Sequence, residues 1–235
     1  MRIDWKNAKV ARRTHIRGQQ KKVHYLAPAG GRLTAYESRL EASAGAAFGL
    51  DPRVLSARTQ PMTFDLATGR RFPSKDDLYE WARDSGSRPI VYTPDFELRL
   101  RSGHVLVEVK HSELIERNPN VLSYPSVLAR FGVRLIIIDD RILHDAYMRN
   151  IRSLSMARAY EPTQPEITFV RSECLDGVPL GELRSRGFGD ALILSCLARG
   201  HLTCDVQQDR ISGRTLIRRA EGQPTHLMEL PLDAF

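Results

Sequence analysis

No stretch of this 235-residue chain approaches the ~18 consecutive apolar residues of a bilayer-spanning helix. The run from Leu135 to Ile138 is long enough only for a short buried strand. No membrane partner is expected. The basic N-terminus has no apolar core behind it, so no secretory signal is expected either. Cysteine is scarce: Cys174, Cys196 and Cys204 are an odd set without C-x-x-C spacing. That argues against a disulfide framework and for free thiols in a reducing, bacterial-type cytoplasm. With His201 they admit a zinc site only in principle, because zinc ligands usually come in closely spaced pairs. Internal repeats and low-complexity tracts are also missing. With 42% hydrophobic and 27% charged residues the chain is not a disordered one. It suits one larger core and a small second domain.

Acidic residues are nearly absent from the beginning of the chain. Residues 1–32 hold nine Lys or Arg and a single acid, Asp4, while the rest is close to neutral. The whole net charge of +7 therefore comes from this arm. Arg12, Arg13, Arg17, Lys21 and Lys22 are its candidate contacts to nucleic-acid phosphates. A solvated tail or a protein-docking arm is the alternative.

The densest chemistry lies between Thr93 and Lys110. Glu97 to Arg101 alternates polar and apolar residues, as does Val105 to Val109, and Ser102-Gly103 between them is a hairpin signal. Antiparallel pairing brings the start of one strand beside the end of the next. Asp95, Glu108 and Lys110 should therefore meet at one sheet end, with Glu108 and Lys110 on one face. Two carboxylates beside an ammonium can hold a hard divalent cation and orient a water. The same Glu/Lys alternation also occurs on solvated strand faces.

Motifs upstream give this pattern a context. Glu37-Ser38-Arg39-Leu40-Glu41 is followed by Asp51-Pro52-Arg53-Val54 and Gln60-Pro61-Met62-Thr63-Phe64, then Pro94-Asp95-Phe96 and Glu108-Val109-Lys110. This order resembles the TnsA endonuclease subunit of heteromeric cut-and-paste transposases, most closely from Tyr36 to Lys110. The "PDF…EVK" part is shared with many restriction-like PD-(D/E)xK nucleases, and the prelude is more specific. The resemblance implies a Mg²⁺-dependent endodeoxyribonuclease, with Mn²⁺ able to substitute, that cleaves the 5′ ends of a transposon. Its partners would be the transposon-end DNA, a DDE-type transposase subunit and an AAA+ ATPase regulator. Asp95 would be the central metal ligand and Glu108 the second, assisted by the Val109 carbonyl. Lys110 would act electrostatically on water or phosphate, because an ammonium beside two acids stays protonated. The family pattern favours Glu41 as the outer catalytic carboxylate, with Glu37, one turn away, as the alternative. Gln60 matches the family's glutamine and is either near the site or a turn-stabilising side chain. A standalone restriction, repair or junction-resolving nuclease, and a non-catalytic DNA-binding adaptor, remain as other readings.

The expected fold class is α/β. Leu33 to Gly49 reads as a helix of small residues, and Pro61 to Ala67 as a strand turning at Thr68-Gly69. Ser74 caps a helix over Lys75–Ser85, which looks like an insertion in the family pattern. Ser112 to Phe131 reads as helix broken at Pro119 and Pro125, ahead of a buried strand over Val133–Ile138. Together these predict a restriction-endonuclease-like core, a mixed sheet flanked by helices, over 33–160. Arg141 to Ala159 reads as an amphipathic helix, and Pro162 and Pro165 as a linker. Over 166–235, helices at Pro179–Arg186 and Phe188–Arg199 precede strands at Thr203–Val206 and Thr215–Arg219. That order predicts a small winged-helix-like domain, with a helical dimerisation module as the alternative.

Overall fold

The computed structural model describes residues 24–26 and 34–233. The basic arm, with Arg12, Arg13, Arg17, Lys21 and Lys22, lies outside these residues. The described chain is a mixed α/β structure with eight α-helices.

β1 (His24–Leu26) and β2 (Thr34–Tyr36) form a two-stranded pair. α1 (Arg39–Leu50) begins six residues later than the expected Leu33–Gly49 helix, because β2 occupies that stretch. The cause of the later start is local. The Ser38 hydroxyl accepts the Glu41 N–H at 3.1 Å, and a Glu41 carboxylate oxygen accepts the Glu37 N–H at 3.1 Å. This reciprocal arrangement satisfies helix-start donors and fixes the helix origin at Ser38.

β3 (Val54–Thr59) leads to a small antiparallel sheet made of β4 (Thr63–Asp65), β5 (Arg70–Phe72) and β6 (Val91–Tyr92), in the order β5-β4-β6. Between β5 and β6 lies α2 (Lys75–Ser85). Ser74 accepts the Asp77 N–H at its start, and Gly86 ends it in the left-handed region at φ 63°. The start matches the Ser74 cap read from the sequence, and the glycine supplies the end cap.

β7 (Phe96–Leu100) and β8 (Gly103–Val109) form the expected hairpin, with Phe96 opposite Val107 and Leu98 opposite Val105. α3 (Ser112–Arg117), a 3₁₀ turn at Pro119–Ser123 and α4 (Tyr124–Ala129) follow, broken at the two prolines as their missing N–H groups require. β9 (Leu135–Ile138) then pairs parallel to β8. The central sheet runs β3-β7-β8-β9. β8 is buried on both faces from Val105 to Val109, as the central strand of a layered sheet must be. α2 packs on β4 and β5, with Leu78 and Ala82 buried. In the small sheet, Phe64, Leu66 and Tyr92 share one apolar cluster with Leu106, Leu128, Val133 and Leu135 of the central sheet and its helix.

α5 (Asp145–Ala157) starts at a His144 cap, four residues inside the expected Arg141–Ala159 span. α6 (Gln164–Glu173) occupies the segment read as linker. Thr163 and Glu166 form a capping box there, and Pro165 sits in the first turn, where its missing N–H costs nothing. β10 (Val178–Pro179), α7 (Leu180–Ser185), α8 (Asp190–Ala198), β11 (Leu202–Thr203) and β12 (Leu216–Arg219) complete the chain, with strands in the order β10-β12-β11.

The chain divides into two compact units. Of the described residues, one contains Tyr36–Glu41 and Ser56–Asp140, and the other contains Ala42–Leu55 and residues 141–233. In the second unit α5 packs on α8. The Arg158 guanidinium donates to the Gly49 carbonyl at 2.7 Å, closing the end of α1. Asn150, fully buried, donates to the Val206 and Asp209 carbonyls and accepts the Ile211 N–H, which pins the loop between β11 and β12. Arg53 grips both oxygens of buried Asp51 and also reaches the Leu230 carbonyl and Asp233.

Cys174, Cys196 and Cys204 are buried and unbridged, and burial pushes their thiols up to about 11, 11 and 12. Neutral buried thiols are inert rather than ligating.

Burial lowers the His226 imidazole to about 4, against about 6.5 in an unfolded chain. The unfolded state therefore takes up the proton first. Stability from this residue is complete above pH 6.5 and is lost as pH falls toward 4. Urea titrations should show about 2 kcal/mol lost between pH 7 and pH 5, and His226→Leu should remove that share of the slope. An unchanged slope in the variant would assign the acid sensitivity elsewhere.

Candidate active site

The hairpin end brings Asp95, Glu108 and Lys110 together in the first unit. Asp95 precedes β7, Glu108 lies near the end of β8, and Lys110 follows it. Antiparallel register explains the meeting: one step beyond the Phe96–Val107 pair lie Asp95 and Glu108. An Asp95 carboxylate oxygen accepts the Val109 N–H at 2.8 Å. The Lys110 ammonium stands 3.8 Å from a Glu108 carboxylate oxygen, and the Lys110 N–H donates to the Ile138 carbonyl of β9. The parallel partner strand thus holds the lysine at the sheet end. Asp95 and Glu108 are 8% and 9% exposed, deep enough that both acids need compensating partners.

Tyr92 supplies one such partner and was not singled out in the sequence. Its hydroxyl donates to the other Glu108 oxygen at 2.9 Å, while its ring packs on Tyr124 at 4.8 Å. Burial first, then the charge of Glu108 and the hydrogen bond to it, push this phenol well above its usual range. Tyr92 therefore remains a neutral donor across ordinary pH, fixing Glu108 so that its two oxygens have different neighbours. The available signal was its place three residues before Asp95 on an apolar strand, which does not by itself reveal a partner on β8.

Glu41, Glu37 and Gln60 form the neighbouring group. Glu41 is buried and acts in the helix cap through the Glu37 N–H. A Glu37 carboxylate oxygen accepts the Gln60 side-chain amide at 3.1 Å. The Gln60 N–H in turn donates to the Asp95 carbonyl at 2.8 Å. Gln60 thus ties the start of α1 to the start of β7. It does so from the left-handed region, at φ 43°, a conformation that costs a non-glycine residue about 1 kcal/mol or more.

The oxygen-only donor set of Asp95, Glu108 and the Val109 carbonyl has the hardness that suits Mg²⁺ or Mn²⁺. Among the described residues, no group of three or more His, Cys, Asp or Glu side chains is placed to hold a metal ion. Glu41 is thus not drawn into one cluster with Asp95 and Glu108, and the cysteines with His201 form no zinc site. The other histidines near the motif have ordinary surface partners: His104 faces Glu97 at 3.4 Å, and His111 faces Asp140 at 3.2 Å. Asp140 also receives the Ser112 N–H, which is the main cause of its lowered pKa.

No protein-family model matches this chain, and no curated protein matches it in sequence. The functional reading therefore rests on the motifs and on this geometry.

Proposed function

We propose that this chain is a metal-dependent DNA endonuclease, the TnsA-like subunit that cleaves the 5′ ends of a transposon in cut-and-paste transposition. The observation that carries the reading is the meeting of Asp95, Glu108 and Lys110 at one sheet end, with both acids buried. The topology supports it. Apart from the excursion through β4, β5, α2 and β6, a helix, three central-sheet strands, a helical segment and a final strand parallel to its neighbour follow the order of restriction-endonuclease-like cores. In the second unit, helix, strand, two helices and two strands, with the first strand beside the last, is the winged-helix order. Such likeness of fold raises the expectation without deciding the chemistry.

In this reading Asp95 and Glu108, with the Val109 carbonyl, would hold Mg²⁺ or Mn²⁺, which would supply Lewis acidity toward a water and charge neutralisation at the phosphate. Lys110 donates hydrogen bonds to the attacking water or the phosphate oxygens. Tyr92 holds Glu108 in a single orientation, so that the acid is organised before substrate arrives. The basic arm contacts DNA phosphates.

The chain has little with which to choose a DNA site unaided: residues 166–235 contain eight Lys or Arg against ten acids. Site choice then falls to a DDE-type transposase and an AAA+ ATPase, which place the phosphodiester. Nicking of transposon-end DNA by the chain alone in Mg²⁺ should be slow, absent with EDTA, and faster by about 100-fold or more with both partners. Absence of metal-dependent cutting under every condition would overturn the nuclease reading. Fast, sequence-specific cutting by the lone chain would instead assign a standalone restriction-type enzyme.

A further inference from the structure

We propose that the side-chain oxygen of Gln60 is a further member of the cation site, accepting the metal ion or one of its waters where a third acid would otherwise stand. This rests on the nuclease reading above. Gln60 is 2% exposed, and its amide oxygen has no hydrogen-bond partner among the described residues. A buried acceptor left so is costly and calls for an ion or water to satisfy it. The orientation of the amide is set by chemistry. Its NH₂ donates to Glu37, and the reverse placement would oppose two acceptors at 3.1 Å. The backbone bond from Gln60 to the Asp95 carbonyl seats this residue beside the central acid.

Two further facts point the same way. Asp95 and Glu108 are joined by no third His, Cys, Asp or Glu side chain in a metal-holding group among the described residues. An amide oxygen is a hard, neutral ligand that completes such a shell without adding another charge. The backbone at Gln60 is also left-handed, where glycine or asparagine would sit with less strain. A glutamine held there is explained by what the longer side chain reaches.

Calorimetric titration of the full chain with Mn²⁺, without DNA, tests this apart from cleavage. Gln60→Asn eases the backbone but withdraws the oxygen by one methylene, and should weaken Mn²⁺ binding about tenfold. Gln60→Glu keeps the reach and offers a stronger oxygen donor, so it should bind Mn²⁺ as tightly as wild type or more so. If Gln60 served only to bridge Glu37, the Glu variant would set two carboxylates face to face and bind no better than the Asn variant. That order, or wild-type affinity in Gln60→Asn, overturns the proposal. Melting curves of both variants establish that each is folded. Failure of the nuclease reading looks different: wild type would take up no Mn²⁺, or Asp95→Asn would take up as much as wild type.

Discussion

Asp95→Asn is expected to fold as wild type does and to lose cleavage by about 1,000-fold or more, the loss of roughly 4 kcal/mol of transition-state stabilisation. The choice of asparagine matters. One Asp95 oxygen accepts the Val109 N–H at 2.8 Å, inside a site where Asp95 is only 8% exposed. An asparagine keeps a carbonyl oxygen for that bond, so the hairpin end stays paired. What it loses is the charge and the second oxygen, the part a cation would use. Asp95→Ala removes both functions, strands the Val109 N–H and should cost about 1–3 kcal/mol of stability as well. The pair separates chemistry from folding. Cleavage assays in Mg²⁺ beside thermal melts give both numbers, and wild-type cutting by Asp95→Asn would remove Asp95 from the site.

The parts of this site that were legible in the sequence are the local ones. The hairpin announced itself through alternation and Ser102-Gly103, and its register alone places Asp95 beside Glu108. Ser74 opens α2 through side-chain chemistry within one turn. Ser38 and Glu41 carried the same kind of signal, yet Glu41 read first as a catalytic acid; the cap role becomes evident only when the helix start is located. Thr163-x-x-Glu166 was likewise a capping box hidden by two prolines that suggested a linker. Other features were beyond any local pattern. The Tyr92 bond to Glu108 joins residues on strands of different sheets. The left-handed backbone of Gln60 depends on a bond to Asp95, 35 positions away, and no glycine marks it. Most of all, residues 42–55 belong with the C-terminal half, a long-range association that composition does not encode.

That association leads to the second large expected effect: a chain ending at residue 165 should lose the cooperative melting transition of the second unit. The prolines at 162 and 165 suggest a harmless place to cut, but the cut passes through the second unit. Tyr147, Met148, Ile151 and Leu154 of α5 are buried, and α5 packs on α8, which the cut removes. Exposing four such side chains costs about 1.5–3 kcal/mol each. The sum, on the order of 10 kcal/mol, is comparable to the whole stability of an ordinary domain. Polar losses add to it: Asn150 loses its partners at Val206, Asp209 and Ile211, and Arg53 loses Leu230 and Asp233. Asp51 then remains buried with a less anchored counter-ion. The effect reaches the candidate active site through the chain itself, because α1 carries Glu41 in its first turn and continues into the second unit. Truncation should accordingly remove basal cleavage along with any partner-dependent part, so docking is better mapped with surface substitutions in the full chain. Circular dichroism on heating decides the matter. Retention of the second unit's own transition within about 5 °C of the full chain would mean a loss of under roughly 2 kcal/mol, and α5 would then have to bury its apolar face without α8.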